Sequence, residues 1–288
     1  GVRMLGKLIK YEWKGLMKPL SILYIVLLGI TILTGLLILT INPDYDDVAV
    51  GFSVLFTMLS VFIYYFGIIV CALGTMLIIA IRFYKTCYTD EAYLTHTLPV
   101  SAKQLVAAKT ISSVLCHMLT LVVIGVSVIL LLLVLVTHLI NLGEIPVAEL
   151  SEGFSEVFAE LDREFASEMG ISFSGYFLYL GAVSLVSSVC GIISLLGCVS
   201  LGQLYTKHRI LGAIIAYFIM TFLLQIAAYV GMIPMYSKMF VAEYTGESIN
   251  MFDLMHPTVM VTLIASVIIA VIMYFINIHM MTKRLNLE

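Results

Sequence analysis

Charge is what this sequence has least of. Only 11% of its 288 residues are Asp, Glu, Lys or Arg, against a hydrophobic share of 61%. A soluble domain carries about 25% charged residues, so a globule surrounded by water is excluded on composition alone. The mean hydropathy of +1.10 points to a bilayer as the solvent. Short alternating strands are also missing, which excludes a membrane β-barrel. The five cysteines, Cys71, Cys87, Cys116, Cys190 and Cys198, form no CxxC pair, and no disulfide framework or zinc site is expected from their spacing.

Catalytic signatures are absent as well. No GxxxxGK[ST] phosphate loop occurs, so the chain is not expected to bind and hydrolyse ATP by that route. HExxH and GxSxG are missing too, which argues against an intramembrane protease or esterase. The centres of the apolar runs hold no Asp, Glu, Lys or Arg. Ion-coupled carriers keep such groups near the midplane, so that class is disfavoured.

What is present is a set of six apolar runs: residues 20–41, 52–81, 111–140, 171–201, 210–233 and 258–281. Each meets the roughly 20 residues that cross about 30 Å of hydrocarbon as a helix. The fold expected is therefore an all-α integral membrane protein, one transmembrane domain over 1–288 with six transmembrane helices. The first run is too long, and lacks the small-residue cleavage pattern, for a signal peptide.

Basic residues fall on alternate sides of these runs. Arg3, Lys7, Lys10, Lys14, Lys18, Arg82, Lys85, Lys103, Lys109, Lys207, Arg209, Lys283 and Arg284 would share one side, with only Arg163 and Lys238 opposite. The positive-inside bias puts the majority side, and both termini, in the cytoplasm. The expected setting is the plasma membrane of a bacterial cell.

Residues 4–18 read as an interfacial amphipathic helix. Leu5, Leu8, Ile9, Trp13 and Leu16 share one face, and Lys7, Lys10, Lys14 and Lys18 another, with Pro19 expected to end it. Its role is either an anchor alone or an anchor that also carries force from a partner. On the opposite side, 144–169 reads as an external amphipathic helix, its apolar stripe from Val147 to Phe165 and its acidic stripe Glu149, Glu152, Glu156, Glu160 and Glu164. A solvated face is the simpler account of those acids, and attraction of cationic peptides the sharper one.

The cytoplasmic segment 82–110, "RFYKTCYTDEAYLTHTLPVSAKQLVAAKT", is polar between two apolar runs. Asp90 and Glu91 after Thr89 favour a helix start, Pro99 ends it, and Ser101 with Gln104 has capping-box spacing for the next helix. A short crosswise helix over 90–97 is expected, offering Tyr93, Leu94 and Leu98 to a neighbour, or else a membrane-surface turn with no partner.

The run "DEAYLTHTLPVSAKQLVAAK" resembles the permease subunits of type 2 ABC exporters. Asp90, Glu91, Leu98, Pro99, Val100, Ser101 and Lys109 match their pattern; Ala92 stands where glycine is common. "LGKLIKYEWKG" near the start also looks like that family's beginning. The resemblance implies a coupling helix, in which Asp90, Glu91, Tyr93, Leu94, His96, Thr97, Leu98 and Pro99 dock on a separate ATP-binding-cassette ATPase subunit. It further implies ATP and Mg on that partner, no cofactor in this chain, and pairing with a second copy or a homologous permease in the lipid bilayer. No nucleic acid is expected, and the chain is not itself an enzyme. The cargo expected is amphipathic or hydrophobic. The other class of reading is a non-transporting scaffold or sensor signalling through its cytoplasmic helices.

Two amides lie at membrane depth, Gln225 and Asn277. They would line a pathway or join helices, the second being the ordinary role. Gly181, Ser184, Ser188, Gly191, Ser194 and Cys198 form a small-residue seam suited to close helix approach.

Overall fold

The computed structural model describes residues 2–41, 47–89, 101–142, 147–205, 207–246 and 250–283. Among them there are seven helices and no strand: α1 (Val2–Ile38), α2 (Asp47–Tyr88), α3 (Ala102–Asn141), α4 (Val147–Glu168), α5 (Phe173–Gly202), α6 (Arg209–Thr245) and α7 (Met251–Lys283). All but α4 are long and apolar enough to cross a membrane. Large side chains such as Phe62, Leu178 and Ile233 are more than 60% exposed on the helix flanks. Lipid accepts such surfaces; water would not leave so many uncovered. The chain is a multi-pass membrane protein.

The helices run further than the apolar runs. Pro19 does not end the first one: α1 continues through it from Val2 to Ile38, so residues 4–18 and the first apolar run belong to one continuous helix. Proline forfeits one internal hydrogen bond, but the hydrocarbon-spanning context leaves the backbone no better alternative than helix. Lys7, Lys10, Lys14 and Lys18 are exposed on it while Leu16 and Leu20 are buried. Likewise α6 passes through Pro234 to Thr245 and α7 through Pro257. The helices thus run past the apolar runs 210–233 and 258–281, α6 ending at Thr245 and α7 beginning at Met251. Gly246 closes α6 in the left-handed region at φ 70° and donates its N–H to Ala242 O, the usual glycine C-terminal stop.

The helical chain divides into two compact units. One comprises Gly1–Ile9, Ala80–Val114 and Glu156–Glu288; the other comprises Lys10–Ile79 and Leu115–Ser155.

In the first unit, α5, α6 and α7 pack on one another. A Cβ on Gly197 would stand 2.6 Å from Met273 Cβ, and one on Gly231 would stand 2.9 Å from Thr258 Cα. The α5–α7 and α6–α7 crossings are thus close at these glycines. Thr258 donates its hydroxyl to Gly231 O at 2.9 Å. The ammonium of Lys238 on α6 donates to Asp253 O at 3.1 Å, the carbonyl that Pro257, lacking an N–H, leaves without its helical donor. The part of α4 in this unit rests on α5 through aromatic rings, Phe165 against Phe173 at 5.0 Å and against Tyr176 at 5.8 Å. Asp162 Oδ1 accepts the Phe173 N–H at 2.8 Å, and Ser172 Oγ accepts the Gly175 N–H at 3.2 Å. Together they satisfy two of the donors that open α5.

In the second unit, hydroxyls are buried between α1, α2 and α3. Tyr24 and Thr120 are hydrogen-bonded at 2.8 Å, Thr75 and Thr120 at 3.1 Å, and Tyr64 and Ser127 at 2.9 Å. Thr57 donates to Leu37 O at 3.1 Å. Threonine and serine also bond carbonyls in their own helix, as Thr75 does with Cys71 O and Thr120 with Cys116 O. That self-bonding lets hydroxyls sit in an apolar interior without an open polar group.

Candidate functional site at the end of the second helix

The eight residues expected to dock an ATPase, Asp90, Glu91, Tyr93, Leu94, His96, Thr97, Leu98 and Pro99, lie outside the described residues, as does the rest of 90–100. Both flanks are described, and both belong to the first unit.

On the upstream flank, the last two turns of α2 are unusually buried for a stretch carrying polar side chains: Phe83, Thr86, Cys87 and Tyr88 are all buried. Thr86 Oγ1 donates to Arg82 O at 2.8 Å and accepts the ammonium of Lys109 at 2.6 Å. Lys109 is itself only 3% exposed. Its long stem reaches from α3 to α2 and brings the charge to a hydroxyl already oriented by its own helix. Tyr88 is 2% exposed, its ring 6.2 Å from that of Phe83 in an edge-on arrangement. The Tyr88 hydroxyl donates to Ser200 Oγ on α5 at 2.8 Å, and Ser200 donates to Asn277 Oδ1 on α7 at 2.8 Å. This buried chain of polar groups touches three helices.

On the downstream flank, Ser101 and Gln104 bond each other reciprocally. The Ser101 N–H donates to Gln104 Oε1 at 3.3 Å, and the Gln104 N–H to Ser101 Oγ at 3.4 Å. That is the capping box. Further along α3, Ser112 donates to Ile9 O on α1 at 3.3 Å.

Beside the end of α2 a groove of about 500 Å³ is lined by Tyr84, Lys207, His208, Arg209, Ile210 and Ile214. Its rim is basic and its walls are apolar, as befits a loop at a membrane surface. Among the described residues, no three His, Cys, Asp or Glu side chains gather in a way that would hold a metal ion.

The two amides fare differently. Asn277 is 1% exposed and bonded to Ser200, whereas Gln225 is exposed on α6. The small-residue seam of α5 is exposed at Gly181 and Ser184 and buried at Ser194 and Cys198. Sequence reasoning missed Tyr88, Ser200 and Thr86. A tyrosine or serine at a helix end is common, and only the fold shows that the three converge on partners.

No protein family profile matches this chain, and neither does any curated protein or solved structure.

Proposed function

We propose that this chain is the membrane-spanning permease subunit of an ATP-binding-cassette exporter, powered by a separate ATPase subunit. The supporting observation is the mounting of segment 90–100. It joins two helices of 42 and 40 residues. The first ends in buried Thr86 and Tyr88, and the second opens with a capping box and buried Lys109. A connection meant only to turn the chain has no need of such anchorage. One that takes thrust does, because force reaches the bundle only through ends that hold.

The segment docks on the ATPase through Tyr93, Leu94 and Leu98, with Asp90 and Glu91 at its start. ATP-driven closure of two ATPase subunits moves it, and two permease chains open a route for an amphipathic or hydrophobic cargo. Both termini, the lysines of α1 and the basic groove beside Tyr84 lie on the same cytoplasmic side in this reading, facing anionic headgroups.

Co-purification tests the proposal. Solubilised from its own cells, the chain brings down a subunit with a phosphate loop, and the ATPase rate of that complex exceeds that of the subunit alone. Leu94→Asp and Leu98→Asp abolish the stimulation without removing the chain from the membrane. Partners without a nucleotide-binding motif would favour the scaffold or sensor instead, and undiminished stimulation in both variants would refute the docking role.

A further inference from the structure

Tyr88 is the last residue of α2, two positions before segment 90–100 begins. Its hydroxyl does not turn to the nearby membrane surface, where water would satisfy it. It is carried inward to Ser200, and through Ser200 to Asn277, each bond 2.8 Å long and each residue no more than 2% exposed. Packing alone does not require this, since an apolar side chain of similar volume would fill the space without burying three polar groups. What a directed polar chain adds is a fixed geometry. A hydrogen bond weakens steeply with misalignment, and in an interior of low polarity a broken one leaves its partners unsatisfied. The end of α2 is therefore held in one placement against α5 and α7.

The second anchor explains where thrust would go. Lys109 and Thr86 tie the start of α3 to the same end of α2 at 2.6 Å. A push on 90–100 then does not splay its two flanking helices; it is passed on through Tyr88.

We infer that Tyr88, Ser200 and Asn277 form the joint by which movement of segment 90–100 is transmitted to α5 and α7. They are positioning residues, and the inference rests on the proposal that an ATPase drives that segment.

The test uses the complex of this chain with its co-purified ATPase, in vesicles. Spin labels are placed at the exposed positions Ile81 on α2 and Phe177 on α5, each replaced by cysteine, and their separation is measured by pulsed electron resonance with and without Mg-ATP. The unmodified joint gives an ATP-dependent shift in the distance distribution. In Tyr88→Phe, which keeps the ring, and in Ser200→Ala, the shifted population falls at least about fivefold, the low end of typical coupling between sites. ATP hydrolysis continues in both. The Tyr88→Phe/Ser200→Ala double variant is no worse than either single one, and Ser200→Thr, which keeps the hydroxyl, restores the shift. A shift that persists at full size in both single variants overturns the inference. If the parent complex lacks an ATPase or shows no ATP-dependent shift, the proposed function fails first and takes the joint with it. The parent alone reveals that case, so the two failures are told apart.

Discussion

Replacing Gly197 by alanine sets two opposed effects of known size against each other. Alanine favours a helix over glycine by about 0.8–1.0 kcal/mol, so on propensity alone the variant should be more stable. The new methyl, however, would stand 2.6 Å from Met273 Cβ, 3.0 Å from Met273 O and 3.1 Å from Met273 Cα. Carbon atoms rest at about 3.5–4.0 Å. None of these atoms is the free end of a flexible side chain, so relief requires α5 and α7 to part locally by about 1 Å, the shortfall from that resting distance. Overpacking of this kind costs about 1–3 kcal/mol. The clash wins by about 1 kcal/mol net, the difference between the middle of that range and the propensity gain. At about 2–4 °C per kcal/mol for a chain of this size class, the apparent melting temperature drops by a few degrees. The chain supplies its own reporter, because Cys190 and Cys198 are buried on α5 itself. With Cys71, Cys87 and Cys116 replaced by serine in parent and variants alike, a thiol-reactive fluorophore in detergent reads the opening of this helix on heating. Gly191→Ala is the control: it lies on the same helix with nothing within 4 Å of its added Cβ, so it melts at or above the parent. If Gly197→Ala also melts at or above the parent, the close crossing of α5 and α7 is wrong.

Other outcomes follow from single contacts. In the second unit, a double-mutant cycle on Tyr64→Phe and Ser127→Ala yields a coupling of about 0.6 kcal/mol, the ordinary worth of a helix-to-helix bond in a membrane; a cycle with no coupling would refute the 2.9 Å contact. Gly246→Ala, at φ 70°, lowers stability by about 1 kcal/mol through backbone strain, measured as a lower melting point than Gly181→Ala, which meets nothing within 4 Å. Lys238→Ala destabilises the parent by about 0.5–1.5 kcal/mol, the net worth of one hydrogen bond. It destabilises a Pro257→Ala chain less, since that chain regains its own donor to Asp253 O. Equal losses in the two backgrounds would show that the lysine does not serve this carbonyl.

The number of membrane helices was legible because a run of about 20 apolar residues has few other uses. Their ends were not. Pro19 was expected to end a helix, and the apolar runs stop just before Pro234 and start just after Pro257, yet α1, α6 and α7 run through all three prolines. In lipid the alternative to an imperfect helix is an unpaired backbone, and that alternative is worse. The position of α4 was visible in its spaced aromatic and acidic residues, since a surface helix must show two faces. Facing inside the bundle was opaque. The seam drawn through Gly191, Ser194 and Cys198 missed Gly197, one position to its side, where an added Cβ would stand 2.6 Å from Met273 Cβ. At the candidate site, Asn277 stood out because an amide is rare at that depth. Its partners Ser200 and Tyr88 did not, because hydroxyls that can bond their own helix are tolerated on any face.

Lys238 is one of two basic residues that fall on the acidic side of the charge pattern, and by simple counting it weakens the topological signal. Its ammonium substitutes for a backbone amide that Pro257 cannot supply. Engineering that side for expression or for reversed insertion should therefore treat residues 238 and 257 as one unit. Removing the apparent outlier to sharpen the charge bias would loosen the hook between the last two helices.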